Sequence, residues 1–384
     1  MIRKPRLFTP GPTSPLPQAQ AAEAAALLHH HSPAYSALLQ EVRAGLQYFF
    51  QTRNDVLVLT SSGTGAMEAA VVNTLERDDE VIVVNAGRFG ARWTAICRTY
   101  GVRVFEVTVP PGHAPDVAAV QAQLEKLPQC RAVLMQGCET STGTVMPVRD
   151  VAKLVSPRPE CLLIVDAITW LGAHEVLPDA WGIDITLGAS QKALAMAPGL
   201  TFAAISPKAL ARMRTNQTPR FYFDLVREYD AQAALGTTFT PALSLMAGCA
   251  SALQWLKDVT LPGLIDNAKL LSGMMRAAAN ALGLRLLSRA PSDSVTAVEL
   301  PPEIAARNFL EIIENRFGAL LGKGQDSLLE RIVRFSHLGY CDYIETLGLI
   351  GAMELALQGL GAKVESGQGL NAAQAHAIAF GDAP

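Results

Sequence analysis

Short apolar runs bounded by turn residues recur along the chain between about residues 55 and 206. Seven read as strands: 55–60, 80–85, 102–109, 132–136, 162–166, 183–187 and 200–205. Several lack the alternation of a half-exposed strand, a pattern that suits strands covered on both faces. Stretches with helical spacing fall between them, at 65–75, 90–100 and 117–127. This order predicts an α/β fold with a mainly parallel seven-stranded sheet and helices on both faces. Ligands of such sheets sit at the carboxyl ends of the strands. After about residue 260 the pattern changes to a long helix (264–282), strands at 284–287, 294–300 and 330–336, and helices near 303–317 and 342–360. These predict a smaller C-terminal α/β domain. The expected division is an N-terminal segment 1–20, a large domain 21–260 and a small domain 261–384. The Gly-, Ala- and Gln-rich end from about 361 reads as a loosely ordered tail.

A length of 384 residues with 49% hydrophobic and 17% charged positions describes a core-rich globular chain with room for two domains. A net charge of -3 and scattered basic residues leave no footprint for nucleic acid or a lipid surface. No apolar stretch approaches the roughly 18 residues of a membrane span. The N-terminus has basic residues but no apolar run after them, so no secretory signal is expected. Six dispersed cysteines without a CxxC pair predict free thiols in a reducing compartment, the cytoplasm.

Candidate chemistry sharpens the picture at two residues. The run 162–166 ends in Asp166, and Lys192 follows the strand 183–187. A lysine and an aspartate at the ends of neighbouring buried strands suit pyridoxal 5'-phosphate. The amine forms a Schiff base with it, and the carboxylate pairs with its protonated pyridine nitrogen. The segment 60–69, TSSGTGAMEA, follows a strand and opens a helix. It is either a plain turn or a phosphate cup in which Thr64 adds a hydroxyl. Phe89, between glycines, either stacks on a flat ring or fills the core. Thr140 lies in a polar cluster at another strand end. Cys138 beside it reads as an inert thiol. In 331–339, Val333 and Phe335 face one way and Arg334 the other, and an arginine fork suits a substrate carboxylate. His337 reads as structural. The triplet His29, His30, His31 is a poor metal site, because adjacent residues do not share a helix face.

Together these segments resemble the class V aminotransferases of pyridoxal phosphate fold type I, closest to the alanine–glyoxylate and serine–pyruvate aminotransferases. The resemblance runs through FTPGPT (8–13), SGTG (62–65), ETSTG (139–143), Val165-Asp166, GASQK (188–192), TTFTP (237–241) and RFSHLG (334–339). It implies that Lys192 carries the cofactor and moves the proton, and that Asp166 partners the pyridine nitrogen. Phe89 stacks on the ring where other members place Trp. Thr64, Gly65 and Ala66 hold the phosphate with Gln191 beside it, and Thr140 lies near the ring edge. Thr237 and Thr240 reach the phosphate of a neighbouring subunit. Residues 1–20 lie at the active site and dimer interface of an obligate homodimer. Arg334 binds the substrate carboxylate. The implied activity is ping-pong transfer of an amino group from a small amino acid, of alanine or serine type, to glyoxylate or pyruvate. Phe89, Ala66 and Phe335-Ser336 depart from the common pattern and bear on the substrate rather than the cofactor. The alternatives are a lyase such as a cysteine desulfurase, or a non-catalytic accessory protein on the same fold. A desulfurase needs a mobile nucleophilic cysteine, for which Cys341 is the small-domain candidate.

Overall fold

The computed structural model describes residues 3–25 and 28–381. Its large sheet has seven strands in the order Asp55–Thr60, Leu200–Ile205, Ile185–Ala189, Leu162–Asp166, Ala132–Gln136, Glu80–Asn85, Arg103–Thr108. Leu200–Ile205 runs antiparallel to both neighbours, and the remaining strands share one direction. The unbroken apolar runs are explained by burial on both sides. Leu163 and Val165 enter one core, while Leu162 and Ile164 enter the other. Helices Pro33–Phe50, Val148–Val155 and Leu243–Val259 cover the first face. Helices Gly63–Thr74 and Arg88–Thr99 cover the second. Because most strands point one way, their carboxyl ends and the loops that follow converge on one edge.

The small domain is built on a second sheet in the order Arg6–Phe8, Ala319–Lys323, Ile332–Ser336, Val295–Glu299, Arg285–Leu286. The three small-domain strands expected from the sequence are present, trimmed by a few residues at their ends. The other two were not expected. Arg6–Phe8 is only three residues long, and it pairs in parallel with Ala319–Lys323 from the far end of the chain. A pairing of that range leaves no local pattern. The N-terminal segment therefore adds a strand to the small sheet before it crosses to the large domain.

The expected loose tail from about 361 is corrected: residues Gln368–Gly381 form a helix. Its small residues let it lie close to helix Leu261–Ala281. Gly369 and Ala373 are buried, and Gly273 leaves room for His376. The buried carboxylate of Glu354 accepts the N–H groups of Gly367 (2.8 Å), Gly369 (2.7 Å) and Leu370 (3.0 Å), satisfying donors that a helix start leaves free. Composition alone hides such a cap, because the capping residue comes from another helix. Among the described residues no helix is long and apolar enough to cross a membrane.

Candidate active site

A cavity of about 170 Å³ opens at the carboxyl edge of the large sheet. Its walls include Ser62, Thr64, Phe89, Thr140, Asp166 and Lys192, with Gln191, Arg92 and Thr169 beside them. Five separate connections deliver these residues, each following a strand that ends at this edge.

Lys192 lies in the connection between Ile185–Ala189 and Leu200–Ile205. The N-terminal segment holds it from the other side. Its Nζ donates to the Pro10 carbonyl at 2.5 Å, and its own carbonyl accepts from Thr13 Oγ1 at 2.9 Å. A Cβ at Gly11, where φ is +129°, would collide with the lysine amine, so the segment passes this close only as glycine. Burial pushes the Lys192 amine down to about 8, although the Asp166 charge opposes the shift. Asp166 closes its strand with Oδ1 accepting from the Ile168 N–H at 2.9 Å. Burial pushes its carboxyl up to about 6. The Ile168 hydrogen bond works against that shift, and the nearby Glu139 charge adds to it.

Phe89 stands in the first turn of helix Arg88–Thr99. Glu139 fixes that turn. Its fully buried carboxylate accepts from the N–H groups of Phe89 and Gly90, from Gln136 Nε2 at 2.9 Å, and from the backbone and hydroxyl of Ser141. A carboxylate at a helix N-terminus meets both the free N–H groups and the positive end of the dipole. Thr140 Oγ1 shares a hydrogen bond of 2.6 Å with Thr169. The Thr140 carbonyl accepts from Arg334 Nη1 at 2.8 Å, so the small-domain arginine reaches across to the large domain. Arg334 Nε and Nη2 both donate to the Lys323 carbonyl, and burial lowers its ordinarily very high pKa to about 10. As expected from the alternation, Val333 and Phe335 pack in the small-domain core.

Not all expected residues face the cavity. Gly63 lines it, whereas Gly65 and Ala66 do not, and their N–H groups bond the Ser62 carbonyl at 2.8 and 3.3 Å. Thr237 and Thr240 line a different, small cavity with Tyr222 and Phe239, and the Thr237 hydroxyl is buried without a partner among the described residues. Cys138 is buried, accepts from Ser294 Oγ at 3.4 Å, and has its thiol pushed up by burial. Burial drives His337 down to about 3, and its Nε2 meets Thr296 Oγ1 at 2.8 Å. Cys341 is held up at about 12, also by burial. Two further residues had a readable signal. Arg92 follows Phe89 by three positions, the spacing that places two side chains together on a helix. Glu139 stands in the polar cluster that was read for Thr140.

The pocket fits pyridoxal phosphate. An amine poised near neutrality and a buried carboxyl that ionises above about 6 share the cavity with an aromatic ring. The buried Gln191 Oε1 has no hydrogen-bond partner among the described residues, and Gln191 lines the cavity.

A family model described as aminotransferase class-V matches residues 18–341, and the chain belongs to that family. It is a transaminase of a pyridoxal-phosphate-dependent class, with fold type I architecture. Its relatives carry more than one name. The "Soluble hydrogenase, small subunit" of Synechococcus sp. (strain PCC 6716) is 36% identical over 94% of this chain and 95% of its own length. The L-aspartate–glyoxylate aminotransferase of Paracoccus denitrificans (strain Pd 1222) is 29% identical over 96% of this chain and 95% of its own. Among solved structures, an aspartate aminotransferase of subgroup IV from Thermus thermophilus matches with a TM-score of 0.86 at 31% identity, covering 92% of this chain and 99% of that one.

Proposed function

We propose that the protein moves an amino group from a small amino acid, of the alanine or serine type, to a small 2-oxo acid such as glyoxylate or pyruvate, in two half-reactions on one site. The observation that carries this reading is the shared pocket of Lys192, Asp166 and Phe89, with the lysine amine brought down to about 8. Bound pyridoxal phosphate supplies an electron sink for the Cα–H bond. Lys192 would hold the cofactor, and its free amine would take the Cα proton of the amino donor and return it to complete the transfer. Asp166 keeps a proton on the pyridine nitrogen. Phe89 would cover the ring, Thr140 would meet its edge, and Thr64 with Gln191 would hold the phosphate. Arg334, anchored by two carbonyls, presents its remaining N–H groups to the substrate carboxylate.

The reading includes a homodimer with shared sites. Thr237 and Thr240 stand apart from the pocket of their own chain, and the buried Thr237 hydroxyl has no hydrogen-bond partner among the described residues. It also includes a cytoplasmic setting, since the six cysteines are free. A desulfurase finds less support, because Cys341 is a half-buried thiol with a raised pKa rather than a poised nucleophile.

The test is the visible spectrum of the purified protein before and after L-alanine, L-serine or aminoethylphosphonate. One donor should bleach the yellow band of the lysine-bound cofactor, and glyoxylate or pyruvate should restore it. A yellow band that no donor changes would overturn the proposed substrates. No band after added pyridoxal phosphate would overturn the role of Lys192.

A further inference from the structure

We infer that Arg92 supplies the cationic contact to the phosphate of the bound cofactor. This rests on the pyridoxal phosphate reading above and adds a residue to it. Among the described residues, Lys192 and Arg92 are the cationic side chains that line the cavity. A phosphate monoester carries nearly two negative charges at neutral pH. The Lys192 amine is consumed in the covalent link, which leaves Arg92 to balance that charge.

The geometry around Arg92 agrees. Its guanidinium carbon lies 4.8 Å from the centroid of the Phe89 ring, and Nη1 donates to Thr64 Oγ1 at 3.0 Å. The Thr64 bond is its one hydrogen bond among the described residues. A guanidinium over an aromatic ring keeps its N–H edge free for an anion. Arg92 thus bridges the ring-covering helix Arg88–Thr99 and the start of helix Gly63–Thr74. That start has no side-chain cap, and the Gly65 and Ala66 N–H groups are already used by Ser62. The free donors there are Gly63 N–H, Thr64 N–H and the Thr64 hydroxyl, beside the fork of Arg92. A helix start with few free donors needs a charged partner to hold a dianion, and an arginine fork matches phosphate oxygens two at a time.

The test compares two ligands on the cofactor-free protein. Pyridoxal phosphate and pyridoxal, which lacks the phosphate, are titrated separately into wild type, Arg92→Gln and Arg92→Lys, and the dissociation constants are read from absorbance. Arg92→Gln should weaken pyridoxal phosphate by about tenfold to a hundredfold and leave pyridoxal unchanged. Arg92→Lys should recover part of the loss. Equal losses for both ligands would reduce Arg92 to a support for Phe89 and overturn the inference. Undiminished pyridoxal phosphate binding in Arg92→Gln would overturn it as well. Failure of the wild-type protein to take up either ligand would overturn the cofactor reading beneath it, a result distinct from both.

Discussion

In the seven-stranded sheet the site residues hang from strand ends: Asp166 closes Leu162–Asp166, Phe89 follows Glu80–Asn85, and Lys192 follows Ile185–Ala189. In the five-stranded sheet Arg334 sits in the middle of Ile332–Ser336, with buried neighbours on both sides. Strand-end residues are placed by loops and gain their altered proton affinities from burial at the edge. The mid-strand arginine is placed by the ladder, and three hydrogen bonds to carbonyls hold it, one of them from the other domain. The first arrangement suits groups that exchange protons. The second suits a rigid clamp with fixed charge.

Substitutions can break that comparison. Lys192→Ala should cost about four orders of magnitude in turnover while the far-UV circular dichroism stays native, because its role is chemical. Comparable turnover in the variant would remove the large sheet's claim to the chemistry. Asp166→Asn should lower kcat by about a hundredfold, with substrate KM little moved, since the amide cannot hold the pyridine nitrogen protonated. Arg334→Lys should act the other way round. KM for the amino donor should rise about tenfold and kcat should change less, as the fork is lost and the charge kept. An unchanged KM across several donors would mean that a different residue clamps the carboxylate.

The pH dependence of cofactor capture sharpens the proton-exchanging side of the contrast. Below about 8 the Lys192 amine is protonated and cannot attack, so the capture rate by cofactor-free protein should rise with pH and level off above that value. Asp166, pushed up to about 6, is already ionised there, so it should add no second step between 7 and 9. Stopped-flow absorbance checks this, and a flat profile would show that the amine is not the titrating group.

The same contrast explains what the sequence made legible. An apolar run that stops at a charge, as at Asp166, is a local signal, and so is a lysine after a strand. The seven strands of the large sheet could be read because burial on both faces demands continuous apolar runs. Arg334 showed as the odd residue out in an alternating strand, and its guanidinium fork suggested a carboxylate partner before the resemblance implied one. Glu139 showed only its place in the polar cluster around Thr140, and nothing showed its role. It serves Phe89 and Gly90, fifty residues away, by accepting their N–H groups, and an acidic residue in a polar loop reads the same whether it is solvated or buried. The helix Gln368–Gly381 escaped for a similar reason, since its cap comes from Glu354.

The parallel pairing of Arg6–Phe8 with Ala319–Lys323 also orders events during synthesis. Arg6–Phe8 finds its neighbour only after Ala319–Lys323 has been made, and such long-range pairings form late. Pro10 and Gly11 lie just beyond that strand and close over Lys192. A nascent chain can thus complete its large sheet while the reactive amine still lacks its cover. The cover over Lys192 is finished only when two segments far apart in sequence meet.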